Sequence, residues 1–548
     1  MLLYIFDRAG AETVIYGLLV WTTWQFRDSA NLTLVYGILA IATAWYLNIC
    51  VSAITREVKL ARLGARAPSY RTWTPWNLGL IYNAVWHMLR HRNHEFWWQI
   101  FAKARAANGS GEQWTAEAIT MGDRIIFTAD EENVKAILAT QFGSYGKGPQ
   151  FRKEWKDFLG LSIFTTDGDL WHNSRQLIRP QFIKDRVSDL HTFETHVQIL
   201  LSKLEGSLPG ETIRIDDLFF RFTLDAATDF LLGDSVNSLE NPKAEFAHAF
   251  AEVQHVQAII ARAGPAQALV PKKGFHKGLK VLNAFVEKYI DQALALPPSE
   301  LEAKTKSDQG YTFLHALASY TRDRTVLRDQ LVAVLLAGRD TTAVTLSWLF
   351  YSLSQHPDVV STLRREIHST LGADPATKPT YEHLKSMRYL QHTLNETLRL
   401  YPVVPYNVRV ALADTTLPRG GGPDGSQPLA VLKDTPIGYS TLILQHRPDI
   451  YPAQHPASGS PFRDPREFDP SRWDGWTPKS WTYVPFNGGP RICIGQQFAL
   501  TEMAYTVVRI LQTFGRVEDR SGGEFPGWRT DIVLQPAKGV KVAFGRGE

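Results

Sequence analysis

The pattern of apolar and polar positions divides the chain into an apolar head and a long helical body. Asn31 to Thr55 carries no charged residue, and within it Leu32–Val51 is a mainly apolar run of 20 residues. As a helix at about 1.5 Å per residue that run spans about 30 Å, the thickness of a bilayer's hydrocarbon core. Thr13 to Phe26 is a second charge-free stretch of only 14 residues; that length predicts an interfacial or re-entrant segment rather than a full span. Further on, helical periodicity covers 184–206, 244–262, 275–295, 327–355, 357–370, 383–400 and 495–514. Strand-like alternation is confined to 124–128, 407–411, 428–432 and 531–544. The regular alternation of strand and helix that builds a doubly wound sheet is missing, and so is any fixed-period repeat. The predicted fold class is mainly α with small β-sheets.

Charge orients the head. Arg56, Lys59, Arg62, Arg66 and Arg71 follow the apolar run with only Glu57 opposing, whereas Asp7, Arg8, Glu12, Arg27 and Asp28 precede it. The positive-inside rule then places everything after Arg56 in the cytoplasm. A cleaved signal peptide fits poorly, because the first residues lack a positive run and a small-residue cleavage site. A buried core helix is the alternative, disfavoured by length and flanking charge. Pro68 and Pro75 mark a hinge that stops the anchor helix. The predicted division is an anchor and basic stop over 1–66, with the spanning helix at about 32–51, and one large domain over 67–548. In WHMLRHRNHEFWW, His87, His91 and His94 fall at i, i+4 and i+7. Neither a cysteine nor a clear carboxylate pattern completes a metal set there, so an amphipathic helix with Trp86, Trp97 and Trp98 at the membrane surface is the reading.

Composition narrows the classes. Of 548 residues, 44% are hydrophobic and 21% charged, which suits a large packed core rather than disorder. The net charge of +4 is too balanced to make nucleic acid the main partner. Two cysteines, Cys50 and Cys493, exclude a disulfide scaffold and every cysteine-rich zinc module. Gly420 to Gly425 is glycine-rich, yet no helix with Lys-Ser/Thr follows it, so it predicts a hairpin turn rather than a phosphate loop.

Cys493 lies in Phe486-Asn-Gly-Gly-Pro-Arg491-Ile-Cys493-Ile-Gly495, at the opening of the helix 495–514. A helix amino end and a nearby arginine predict a depressed thiol pKa and a thiolate ready to ligate a metal. Without a second cysteine, zinc or iron–sulfur ligation needs other residue types. A single axial thiolate suits an oxygen-activating heme. Gly489 allows a tight turn, Gly495 lets the helix approach a flat macrocycle, and Arg491 offers a partner to a heme propionate.

This segment resembles the cytochrome P450 heme signature at every defined position. Glu396-Thr-Leu-Arg399 is similar to that family's Glu-x-x-Arg pair, and Arg472 in Phe468-Asp-Pro-Ser-Arg472-Trp473 completes its structural Glu–Arg–Arg cluster. Ser471 stands where many members carry Glu. Trp171 and Arg175 resemble the family's Trp-x-x-x-Arg pair, which meets a heme propionate, and Arg409 resembles a second propionate-binding arginine. Ala337-Gly-Arg-Asp340-Thr341-Thr342 interrupts the helical pattern 327–355 with poor helix formers, as functional sites do. The resemblance makes this the distal helix: Gly338 opens a groove for oxygen, and Asp340 and Thr341 support proton delivery.

AGRDTTA, LPRGGGPDG and FNGGPRICIGQQFALTE together resemble the fungal n-alkane and fatty-acid hydroxylases. Ala337 replaces a Glu that can bond heme covalently in a related animal group, so heme b held noncovalently, with Cys493 on iron, is expected. The implied activity is monooxygenation of an apolar small molecule with O2 and an NADPH-dependent flavoprotein reductase. The implied place is the endoplasmic reticulum membrane, with the catalytic domain facing the cytoplasm in contact with membrane lipid. Phe164, Val334, Ala337, Val403, Val404 and Leu534 are the candidate pocket residues, and Arg179, Lys184 and Arg186 candidate reductase contacts. Oxidation of a fungal secondary metabolite by the same chemistry is the alternative. An O2-independent isomerase or dehydratase ranks lower, since such relatives tend to lose the acid–Thr pair; a heme sensor ranks lower because it needs no proton relay.

Overall fold

The computed structural model describes residues 2–25, 32–108, 113–182, 190–206, 210–306, 312–451 and 464–546. They form two compact units: Met1–Gly146 with Tyr406–Leu444, and Lys147–Pro405 with Gln445–Glu548. Lys184, Arg186 and most of the loop Tyr451–Arg463 lie outside the described residues.

The first unit begins with helices Leu2–Gln25 and Leu32–Leu63. The second is longer than the apolar run, because Arg56, Lys59 and Arg62 continue it as good helix formers on an uninterrupted backbone. It ends before Pro68, so the prolines are not what stops it. Thr33–Leu63 is long and apolar enough to cross a membrane. Among the described residues a five-stranded sheet follows, in the order Thr115–Thr120, Asp123–Thr128, Pro436–Ser440, Tyr406–Ala411 and Tyr145–Gly146. Only the contact between Asp123–Thr128 and Pro436–Ser440 is parallel. Inside the unit the buried Glu117 carboxylate receives both Arg66 and Arg124, which compensates the burial of its charge. Strands Thr415–Gly421 and Gln427–Val431 form the hairpin expected at the glycine run.

The histidine segment departs from expectation. Its helix stops at Leu89 and restarts at Asn93, with His91 in the left-handed region at φ 58° between them. The break takes the three histidines off one common face. His87 Nδ1 instead bonds Asn83 O at 2.8 Å. Trp97 is buried rather than interfacial, stacked on Tyr406 with centroids 4.8 Å apart.

The second unit is mainly helical and has two apolar cores. One gathers Leu327, Leu331, Leu335 and Leu336 with Phe158, Phe250 and Phe313; the other gathers Ala343, Leu346, Trp348 and Leu353 with Phe219, Leu394 and Val507. The helix Arg324–Gln355 supplies residues to both. Asp323 caps it by accepting from Thr325 N at 2.8 Å and Val326 N at 3.2 Å, and Pro357 opens the next helix after His356. The pattern 383–400 resolves into Tyr381–Ser386 and Arg388–Leu400, divided where Met387 turns to ψ 90°. The pattern 531–544 likewise yields two strands, Leu534–Pro536 and Lys541–Gly545, separated by a turn through Gly539 at φ 71°.

Candidate active site

Between the two cores, the long helix carries Ala337–Thr342, the segment in which small and polar residues replace the apolar pattern. A Cβ added at Gly338 would meet only Ala227 Cβ, at 3.7 Å, so the helix leaves space beside it. Thr341 Oγ1 donates to Ala337 O at 2.7 Å, which satisfies a hydroxyl in the helix interior. Asp340 is buried. Arg339 Nη1 donates to its Oδ1 at 3.0 Å and Gln254 Nε2 to its Oδ2 at 2.6 Å. Burial pushes the Asp340 pKa up, while Arg339 and Gln254 oppose that rise.

The cysteine segment is a sequence of turns that ends on the helix Gln496–Thr513. Asn487 (φ 61°) and Gly489 (φ 64°) occupy the left-handed region. A Cβ at Gly488 would lie 2.5 Å from the Trp481 ring, so the close approach there requires glycine. Phe486 packs on the core, and its carbonyl accepts from Cys493 N at 3.0 Å. Cys493 has accessible surface, yet enough protein surrounds its sulfur to desolvate it. Both hold when a thiol faces an internal opening. Burial pushes its pKa up, against the Gly495 N–H and the Arg175 charge. The depressed thiol expected from the helix terminus is therefore overturned: desolvation outweighs the local dipole. Gly495 is the residue just before the helix, and the nearest side-chain atom to a Cβ built there is Phe182 Cε1 at 3.9 Å.

Two arginines bracket the segment. On the helix Gly168–Ile178, Trp171 and Arg175 share a face. Arg175 Nη1 donates to Ile492 O at 3.0 Å, and the Arg491 guanidinium lies 4.7 Å from the buried Trp171 ring. Arg491 Nη2 donates to Asp167 Oδ1 at 2.6 Å and Thr166 O at 2.8 Å, so the carboxylate it holds here is the chain's own. Arg409 belongs to the first unit, where its Nη1 donates to Asn407 Oδ1 and Val408 O, both at 2.9 Å.

Behind the site, Glu396 receives Arg399 through two bonds of 2.8 Å and Arg472 Nε at 3.3 Å. All three side chains are fully buried. Trp473 Nε1 and Asp469 N complete the set, bonds that the sequence motif did not announce. The carboxylate needs these donors because nothing else offsets its desolvation.

The pocket candidates separate by exposure. Phe164 and Val404 expose 38% and 36%, Val334 and Ala337 are partly covered, and Val403 is buried. Leu534 has no accessible surface; its backbone accepts from Trp348 Nε1 at 2.7 Å and donates to Val403 O at 2.9 Å. It offers no side-chain surface to a solvent-sized space. Two residues escaped the sequence reading. Gln254 has no local signal, since its partner is 86 residues away. Glu502 lies in the FALTE stretch as a lone acid among apolar residues; it is fully buried, bonded by the Thr342 hydroxyl, and pushed up to about 8 by desolvation.

The family model for cytochrome P450 matches residues 82–544. The chain belongs to the cytochrome P450 family. It is 50% identical to cytochrome P450 monooxygenase pvhE of Talaromyces variabilis, over 92% of this chain and 95% of that one. It is 38% identical to cytochrome P450 52A13 of Debaryomyces hansenii, over 92% and 96%, and 36% identical to cytochrome P450 monooxygenase himC of Aspergillus japonicus, over 97% and 94%. The chain is thus a P450 monooxygenase, an oxidoreductase that uses a heme held by a cysteine thiolate, O2 and a redox partner. The residues present suit that cofactor: a cysteine facing an opening, glycines where close approach is needed, and arginines beside the turn.

Proposed function

We propose that Cys493 is the heme-iron ligand and that the enzyme hydroxylates an n-alkane or fatty acid at or near its terminal carbon. The observation that carries the reading is the turn Phe486–Gly495, which leaves Cys493 with accessible surface while the protein around it desolvates the sulfur. Bound there, heme would supply O2 activation, with electrons from an NADPH-dependent flavoprotein reductase. Gly495 N–H and Arg175 stabilise negative charge on the sulfur. Arg175, bonded to Ile492 O, and Arg491, bonded to Asp167, flank the turn and are the residues we assign to the propionates. Asp340 and Thr341 hold and pass a proton toward the space beside Gly338. Phe164, Val334, Ala337, Val403 and Val404 are the apolar side chains we assign to the substrate pocket.

We assign 1–66 as membrane anchor and basic stop, and 67–548 as the catalytic domain on the cytoplasmic face of the endoplasmic reticulum. The Thr33–Leu63 helix and the arginines and lysine at its end support that placement. The 38% identity to 52A13 supports the alkane and fatty-acid class. The 50% identity to pvhE, which is outside the 52A series, favours a second reading: a fungal secondary metabolite oxidised by the same chemistry. Product analysis with alkanes, fatty acids and polycyclic lipids, using the reductase-reconstituted enzyme, decides between them. Terminal alcohols from linear chains uphold the first reading. Turnover of polycyclic lipids alone replaces it with the second.

A further inference from the structure

We infer that the first helix is a second membrane span, paired with the anchor helix as an antiparallel hairpin that returns the amino terminus to the cytoplasmic side. The inference rests on the membrane-anchor reading above. Its observation is a set of contacts between helices Leu2–Gln25 and Leu32–Leu63. Thr13 Oγ1 and Tyr46 OH are 2.9 Å apart, Tyr16 OH and Thr43 Oγ1 2.8 Å. The Tyr16 and Tyr46 rings stack with centroids 4.7 Å apart and planes 2° from parallel. Partners advance on one helix as they retreat on the other at equal steps, so the axes run antiparallel. A helix lying flat on the bilayer surface, across an upright anchor, could not keep both pairs.

The covered positions of the second helix agree. Val35, Leu39, Ala42, Tyr46 and Ile49 are among its less exposed residues, at alternating spacings of four and three, the seam of a helix packed on another. Val35 exposes 6% and Ala42 8%. The outward faces stay apolar: Leu18, Trp21, Leu34 and Ile41 are exposed. Acyl chains are the occupant that fits these apolar faces, and threonine hydroxyls on the two helices are satisfied within them. Thr22 and Thr23 donate to Leu19 O, and Thr55 donates to Val51 O. Unpaired polar groups are costly in hydrocarbon.

Depth supports the same conclusion. Residues 13–25 pair with 34–46, inside the charge-free part of the anchor. Continued by one residue, the Thr13–Tyr46 register sets Glu12 beside Leu47, toward the end at which Arg56 begins the basic run. The first helix also meets the turn Pro75–Asn77, beyond that basic run. The charge-free stretch alone is too short to span, but as part of a 24-residue helix bonded to a full-length partner it need not span alone.

The test uses the full chain in sealed microsomes, with an amino-terminal epitope tag and Asn31→Gln to silence the native Asn-Leu-Thr acceptor. A glycosylation acceptor on a Gly-Ser spacer is inserted between Phe26 and residue 31. The hairpin requires that external protease removes the tag and that the inserted acceptor is glycosylated. A protected tag means a single span and overturns the inference. A digested tag with an unmodified acceptor means a surface helix and also overturns it. Release of the chain by alkaline carbonate would instead refute the anchor reading itself.

Discussion

Gln254, on the helix Glu245–Ala263, donates to Asp340 on the long helix at 2.6 Å, and Arg339 Nη1 bridges the same pair by donating to Gln254 Oε1 at 3.1 Å. The only acid in the polar break is therefore held by two donors rather than left free. Gln254→Leu removes one donor and leaves a buried carboxylate half satisfied. It should lower stability by about 1–3 kcal/mol and raise the Asp340 pKa further. Chemical denaturation and the pH profile of product formation check both effects. An unchanged pH profile would detach Gln254 from the proton path.

Asp340→Asn should slow product formation on the order of a hundredfold, the scale of a lost proton donor, with heme content unchanged. Thr341→Ala should leave O2 consumption and lower the fraction that appears as product. Parallel oxygen-electrode and product measurements read the ratio; full coupling in Thr341→Ala counts against the relay.

Cys493→Ala should abolish the thiolate-ligand absorption of the reduced, carbon monoxide-treated protein and all turnover. Retention of both would remove the central assignment.

Glu502 carries a pH prediction. Its folded pKa, about 8, lies above the ordinary 4.5, so the native state holds the proton more tightly. Stability is then greatest below about 4.5 and is lost as pH rises toward 8, by up to about 1.4 kcal/mol per unit. Glu502→Gln keeps an amide for Thr342 and removes that slope. The variant should be more stable at pH 7 by on the order of 3 kcal/mol. Denaturation at pH 5 and pH 7.5 is the check: equal pH dependence in both proteins would place the proton elsewhere.

Glu396→Ala strands Arg399 and Arg472 without a counter-charge. A loss of about 3–5 kcal/mol follows from breaking a buried ion pair on one side, and most of the variant should purify without heme. Wild-type heme occupancy and midpoint would show the cluster to be dispensable.

Particular residues show how far the sequence could be read. The helices at 245–263, 273–295, 324–355 and 496–513 lie within three residues of their periodic patterns. The Glu396–Arg399 pair was legible because three residues on a helix place two side chains together. His87, His91 and His94 misled for the same reason: the spacing assumed a continuous helix, and a left-handed His91 interrupts it. Trp97 was misplaced because an aromatic near a basic segment reads alike whether it meets lipid or Tyr406.

The sequence by itself determined the helical class, the apolar head and the single cysteine suited to an axial ligand. These depend on composition and on spacings within one element. Only the tertiary structure decided that Gln254 holds Asp340, that Thr342 bonds Glu502, and that Tyr16 stacks on Tyr46. It also decided the direction of the Cys493 pKa, since desolvation is set by all surrounding atoms rather than by neighbours in the chain. Each such contact joins elements whose meeting is fixed by packing, and no local period records it.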